Sequence, residues 1–592
     1  MLSALLACCL SGAGGCSDGA PNLLVLYVDD LDPSWELPAL IAPNLHALAG
    51  QGVRFSRAYA SHPLCIPSRV SLLAGQGTLH TEVVSNTDDQ PPSPVNGVPY
   101  LPERLHAAGY HTAGVGKIFH YDQPGSWDEF YNFSDDPWVA KPTVEHTPFS
   151  TTLVFGGPFL NEPDGSLGKM ADTKRADETR KLLQEGKARF EATGQPFAIF
   201  LGLESTHGPF IYPEKYLSEY DASDVPPLPD EETSTDWKSA VAMEAWATPW
   251  YYDPAWGETE AEQRVQALLA YFRCITYVDE QVGRVLAVLH LLGLEDDTIV
   301  VFVSDHGQSF SEHAHIGKTT GYDEDVVAPL IVAVPWLPAT HGRQVATPVA
   351  QVDLYPTLME LLGLEAPAGL DGTSLVPQLL DVSAPHPPVF YTTDEEWGFN
   401  LTRYVVKRDE HTGAIWKLGA WEHDDDIPQV NQLYDLTADP GEYVNLYTDA
   451  ASAPKIAELR ADLTGAGLLG PSARNFSTGI AGARGVPALT WTGVPALGAR
   501  GILGLGNSSW EAAPGLLNIG LSGAYPSAKS LAIEVKCCLF LGLPPEGLSL
   551  PLVLPTGALF DELPIGLQLV QLDAAAPCGL SRSRALSLFL SE

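Results

Sequence analysis

Two aspartates, Asp29 and Asp30, close the apolar run Asn22-Leu23-Leu24-Val25-Leu26-Tyr27-Val28. Adjacent carboxylates repel each other unless positive charge lies between them, so the pair suits a hard divalent cation held by oxygen ligands. An Asp-rich turn that caps the next helix would read the same way. A second apolar run, residues 298–303, leads into Ser304-Asp305-His306-Gly307 and brings a third carboxylate and an imidazole. Continuous apolar runs of this length read as buried strands of a parallel sheet. Open α/β sheets place ligands at the carboxyl ends of their strands. The two groups can therefore serve one metal site if their strands are neighbours.

Between them lies Cys65-Ile66-Pro67-Ser68-Arg69. Taken alone, the cysteine could be a small hydrophobe buried ahead of a proline-started helix. Cationic and imidazole residues also follow strand-like runs. Gly116-Lys117-Ile118-Phe119-His120 follows residues 112–115, and Thr206-His207-Gly208-Pro209 follows Phe197–Leu203. Glu312-His313-Ala314-His315-Ile316-Gly317-Lys318 lies downstream of Asp305-His306. Singly, each is equally a surface lysine or a hydrogen-bonded histidine.

Together, in this order, the segments resemble the type I, formylglycine-dependent sulfatases, and among them most the iduronate-2-sulfatase type. Two details carry the finer likeness: two residues separate Lys117 from His120, and the metal dipeptide is Asp305-His306 rather than Asp-Asn. The resemblance implies that a formylglycine-generating enzyme oxidises Cys65 during maturation. One hydroxyl of the hydrated aldehyde then attacks sulfur, and the other expels the sulfate, which a plain Ser or Cys could not do. It implies one Ca2+ ion on Asp29, Asp30, Asp305, His306 and the modified Cys65. It implies that Arg69, Lys117 and Lys318 hold the sulfate, that His120 assists the hydrate, and that His207 lies near the leaving oxygen. Fixed cations of this kind stabilise charge on the transferred group. His207 and Lys318 both remain open as the acid that protonates the leaving alkoxide. One departure stands out: the family signature continues to Gly-Arg, whereas this chain reads Leu73-Ala74-Gly75-Gln76. The rival readings are a phosphate or phosphonate ester hydrolase of the same superfamily and a catalytically dead glycan-binding protein, the latter hinted at by Gln76.

These residues need a scaffold. Strand-like and helix-like segments alternate from Asn22 to Leu375, as a mostly parallel sheet sandwiched by helices requires. The expected fold class is α/β of the alkaline-phosphatase type. Residues 69–73 should open the helix that follows the cysteine, its N-terminus adding positive potential beside the sulfate. The expected organisation is an export signal over residues 1–20, a catalytic α/β domain over 21–375 and a small antiparallel C-terminal subdomain over 376–470. An accessory β-sandwich should follow over 471–592, where Gly, Pro, Ala and Leu dominate. Leu433-Tyr434-Asp435-Leu436 with Asp439-Pro440, Glu442 and Asn445-Leu446 resembles the closing strand and turn of the family's C-terminal sheet.

Asp and Glu number 73 against 33 Lys and Arg, a formal net charge of −40, so nucleic acid and anionic membranes are poor partners. A sulfated saccharide is also anionic, which requires a pocket that is locally basic. The apolar leader is too short to span a membrane and reads as an export signal, with Cys8 or Cys16 as a possible acylation site. The protein is thus expected in the periplasm, outside the cell or on its surface. Of 8 cysteines, Cys537 or Cys538 could pair with Cys578. The aromatic run over residues 246–256 could stack on sugar rings or anchor its own loop in the core.

Overall fold

The computed structural model describes residues 20–132, 170–227, 260–393, 402–421 and 431–469, apart from a few single positions, and strand segments at 158–159 and beyond 487. The leader, the 246–256 aromatic run, His315, and Cys537, Cys538 and Cys578 lie outside the described residues. The chain forms two compact units.

The first unit is built on a nine-stranded sheet. Its strands are β1 (Asn22–Val28), β2 (Val53–Tyr59), β3 (His111–Gly116), β4 (Glu129–Tyr131), β5 (Phe197–Leu203), β6 (Thr298–Ser304), β7 (Val327–Ala333), β8 (Arg343–Val345) and β9 (Val349–Ala350). They run in the order β8-β2-β7-β6-β1-β5-β3-β4, with β9 also on β2. Only β7 is antiparallel to its neighbours. All seven residues of β1 are buried, as the unbroken apolar run demands of a strand covered on both faces. Leu24, Leu26 and Val28 pack into one layer with helices α1 (Pro43–Gln51), α3 (Ala171–Thr193) and α4 (Glu260–Leu291). Leu23, Val25 and Tyr27 pack into the other, with α2 (Cys65–Ala74) and α5 (Leu354–Leu361).

Helix α2 starts at Cys65 itself, four residues before the expected start at Arg69, and every residue in it is buried. Pro67 sits inside the first turn, where its missing N–H costs nothing. The cysteine therefore stands at the helix N-terminus, and Arg69 projects from the second turn. The helix stops at Gly75, whose φ of 64° is the left-handed cap that glycine favours. Register brings strand ends level: Val28 pairs with Ser304 on one side and Leu203 on the other, and Gly116 pairs with Gly202. At Gly202 a Cβ would overlap the Lys117 carbonyl, so glycine is what lets the Lys117 loop close over β5.

The same unit holds a four-stranded antiparallel sheet of β10 (Val389–Thr393), β11 (Thr402–Arg408), β12 (Ile415–Trp421) and β13 (Gln432–Asp435). Helix α6 (Ala453–Gly465) covers it through Leu459 and Leu463 against Val405, Leu418 and Leu433. In the second unit the described strands form one three-stranded and one four-stranded antiparallel sheet.

Candidate active site

Four adjacent parallel strands deliver the chemistry from their carboxyl ends. β6 leads to Asp305 and His306, β1 to Asp29 and Asp30, β5 to Thr206 and His207, and β3 to Lys117 and His120. Helix α2 points its N-terminal Cys65 at this row, and Lys318 arrives from the segment between β6 and β7.

The carboxylates are tied together by named donors. The Asp30 N–H donates to Asp305 Oδ1 at 2.9 Å, across neighbouring strands. Asp30 adopts a left-handed φ of 53°, a conformation that Asp tolerates and that its neighbours hold. Tyr271 Oη donates to its carbonyl at 2.9 Å. Lys318 Nζ donates to Asp30 Oδ1 and Oδ2 at 2.8 and 3.0 Å and stands 3.1 Å from Cys65 Sγ. Lys117 Nζ donates to Asp29 Oδ2 at 2.7 Å.

Arg69 is fully buried and every nitrogen is engaged. Nε reaches Asp305 Oδ2 at 2.9 Å, Nη2 reaches Asp29 Oδ1 at 2.7 Å, and Nη1 donates to the carbonyls of Lys117 and Ile118. Its guanidinium lies over the Tyr27 ring. Arg69, expected to hold the sulfate, fixes two carboxylates and the Lys117 loop with four of its five N–H groups and keeps one Nη2 hydrogen outside these bonds. Ser68 likewise braces the site, donating from Oγ to the Asp305 carbonyl at 2.6 Å.

The local field follows from these contacts. Burial opposes ionisation of Asp29, yet Lys117 and Arg69 overcome it and hold the carboxyl well below its usual range. Burial raises Asp305 to about 6 despite Arg69. Burial also opposes a Cys65 thiolate, but Lys318 and Lys117 draw the thiol well below its usual value. His207 is partly buried, which disfavours its charge, and Asp30 at 3.8 Å outweighs this and raises it to about 9.

A cation fits one corner of this row. Ligand atoms of Asp30, Cys65, Asp305 and His306 all lie within 4.8 Å of one another, and every one of these residues is buried. His306 Nδ1 faces the Gly307 carbonyl at 2.8 Å, so it carries the hydrogen. Its Nε2 lies 3.4 Å from Asp30 Oδ1 and has no hydrogen-bond partner among the described residues. A buried, unpartnered imidazole nitrogen beside two carboxylates is a donor set that could hold a metal ion. Asp29 groups instead with Asp30 and His207, and its two oxygens already serve Arg69 and Lys117.

Three residues that the sequence reading passed over support the His207 turn. Asp172 accepts from the N–H and Oγ of Ser205 at 2.9 and 2.6 Å and from Arg175 Nη1 at 2.7 Å, and Arg175 pairs with Glu204. Glu204 was legible, since it ends the run of β5 just as Asp29 ends that of β1. Asp172 and Arg175 carry no such signal inside α3. Gln76, the departure from the family signature, donates to the Gly369 carbonyl at 2.9 Å, a packing contact remote from the site residues.

With this geometry in place, comparison with known proteins is informative. Residues 21–364, more than half of the chain, match the family described as Sulfatase, and residues 311–466 match that described as N-sulphoglucosamine sulphohydrolase, C-terminal. The chain is 28% identical to a choline-sulfatase of Rhizobium meliloti, over 72% of this chain and 82% of that one. It is 28% identical to the iduronate 2-sulfatase of Homo sapiens, over 59% and 70%. Among solved structures, the phosphonate monoester hydrolase of Agrobacterium radiobacter superposes with a TM-score of 0.58 at 23% identity, covering 74% of this chain and 95% of that one.

Proposed function

The chain belongs to the sulfatase family and is a sulfuric ester hydrolase, and from that premise we propose an exported enzyme that removes sulfate from carbohydrates through a formylglycine made from Cys65. The observation that carries the reading is the meeting of Cys65 Sγ, Lys318 Nζ and the Asp30 carboxylate at the N-terminus of α2. In this geometry the sulfur stands in for the hydroxyl oxygens of the hydrated aldehyde.

Each side chain then has a task. Lys318 and Lys117 hold the sulfate oxygens as point charges. Arg69 keeps Asp29 and Asp305 aimed and turns its remaining Nη2 hydrogen to the sulfate. His120 assists the hydrate. His207 is the more exposed of the two acid candidates, 40% against 18% for Lys318, which favours it for protonating the leaving sugar oxygen on the solvent side. Asp30, Asp305, His306 and the oxygen derived from Cys65 would hold one divalent cation, which we take to be Ca2+, with Asp29 beside it. When bound, the ion supplies charge that orients and acidifies the attacking hydroxyl. The substrate is a sulfate on a secondary ring hydroxyl, with a 2-sulfated uronate as the first choice, in keeping with the iduronate 2-sulfatase relative. Export rests on the apolar leader. For residues 471–592 the reading is an accessory module, serving either surface attachment or glycan binding or as a passive stalk.

The phosphonate ester reading has support in the shared fold. Side-by-side kinetics on a sulfate ester and a phosphonate monoester of the same alcohol separate the two. The sulfate ester should lead in kcat/KM by at least about 100-fold, the discrimination a site tuned to one group supplies. A lead for the phosphonate would overturn the assignment, and activity on aryl sulfates but on no saccharide sulfate would remove the carbohydrate.

A further inference from the structure

Lys318 owes its position to a segment with an unusual backbone. Gly317 before it has a φ of 114° and Thr319 after it a φ of 104°. A threonine at that φ is strained, and such strain persists only where the surroundings over-determine the chain. Part of the hold is local: the N–H and Oγ1 of Thr320 donate to Asp325 Oδ2 at 2.9 and 2.6 Å, and Ser309 Oγ donates to Asp325 Oδ1 at 2.6 Å.

The rest comes from the C-terminal antiparallel sheet and the turn after it. Tyr391 Oη donates to the Gly321 carbonyl at 2.7 Å, and the Tyr404 ring fills the place a side chain at Gly321 would take. The Asp323 N–H donates to Glu442 Oε2 at 2.6 Å. Lys417 bridges the two, 2.9 Å from Asp323 Oδ1 and 2.6 Å from Glu442 Oε1. Glu442 and Lys417 are both fully buried, and Glu442 itself has a φ of 58°. A buried ion pair that also satisfies a backbone N–H is weak evidence for stability but good evidence for a fixed geometry. On the far side, Arg57 Nη1 and Tyr59 Oη from β2 reach Asp323 Oδ2 at 3.0 and 3.1 Å.

We propose that Glu442 is a positioning residue for Lys318: through the Asp323 N–H and Lys417 it sets the 317–325 segment so that the ammonium group reaches Asp30 and the Cys65 position. The proposal rests on the assignment of Lys318 to the sulfate. It gives the C-terminal sheet a part in turnover.

Steady-state kinetics on an activated aryl sulfate test this in the full-length enzyme. Glu442→Ala, Glu442→Gln and Tyr391→Phe are measured alone and combined with Lys318→Ala. Glu442→Ala should lower kcat about 30-fold, inside the roughly 100-fold that a misplacement of 1 Å can cost, with KM changing less than about threefold. On top of Lys318→Ala the same change should cost less than about twofold, because effects that run through one group are not additive. Glu442→Gln keeps an oxygen for the Asp323 N–H but turns an NH2 toward Lys417, so it should recover part of the rate. Tyr391→Phe removes a single hydrogen bond to the same segment; it should show the same pattern at smaller size and decides the matter if Glu442→Ala does not fold. Equal losses with and without Lys318 would mean a merely structural role and overturn the proposal, as would full activity in folded Glu442→Ala. Undiminished turnover in Lys318→Ala alone would instead remove Lys318 from the reaction, and with it the reading on which the proposal rests.

Discussion

Replacing Cys65 by alanine is expected to yield a folded protein that releases no measurable sulfate. Loss of a nucleophile that works as one unit with its partners lowers kcat by about 10,000-fold or more. The fold should survive. Cys65 is the first residue of a ten-residue buried helix, and alanine is the best helix former. The helix is held by Ile66, Val70, Leu72 and Leu73 in the core, none of which depends on the thiol. Exchange of the modified side chain for a methyl group should cost on the order of 1 kcal/mol, visible as a small shift in melting. Sulfate release by Cys65→Ala at a tenth or more of the wild-type rate would mean that some other group attacks sulfur.

Removal of the divalent cation is expected to have the next largest effect, and to divide unequally between rate and stability. Asp29, Asp30 and Asp305 meet Arg69, Lys117 and Lys318, so the charges of the row balance without an ion. Chelation should therefore lower the melting temperature by only about 5 °C, the linkage energy of one moderately tight ion spread over a large domain. Turnover should fall by at least about 100-fold, since the attacking hydroxyl is no longer oriented and acidified. Added Ca2+ should restore both, and Mg2+ less, because it requires a tighter octahedral oxygen shell than this set offers. Unchanged melting together with unchanged turnover in chelator would dismiss the metal centre.

What the sequence revealed and what it hid differ in physical kind. Strand ends were legible, because a fully buried parallel strand must be apolar throughout and a charged residue at its end has nowhere to go but the ligand edge. That reasoning put Asp29, Asp30, Asp305, His306, Lys117 and His207 just after strand ends, and the register of β6, β1, β5 and β3 brings those ends together. The start of α2 was not legible. Leu64 offers no capping side chain, and a proline in the first turn looks the same whether the helix begins at it or two residues earlier. Nor could sequence show that Arg69 would bind Asp29, Asp305 and two carbonyls, since these partners lie on separate segments. The same holds for Lys318. Its aim depends on positive φ angles at Gly317 and Thr319 and on contacts from Glu442, Lys417 and Tyr391, which are tertiary facts with no local pattern. Gln76, which put local packing or substrate pairing in question more than the nucleophile, donates its amide to the Gly369 carbonyl, a partner nearly three hundred residues away that sequence could not name.

The central claim is that Cys65 does not act as a cysteine. Trypsin cleaves after Arg57 and Arg69, so residues 58–69 form one peptide that contains it. In protein that releases sulfate, accurate mass of that peptide should fall about 18 Da below the cysteine form, as the thiol is exchanged for an aldehyde. An active preparation in which the whole of this peptide carries an unmodified thiol would contradict the account.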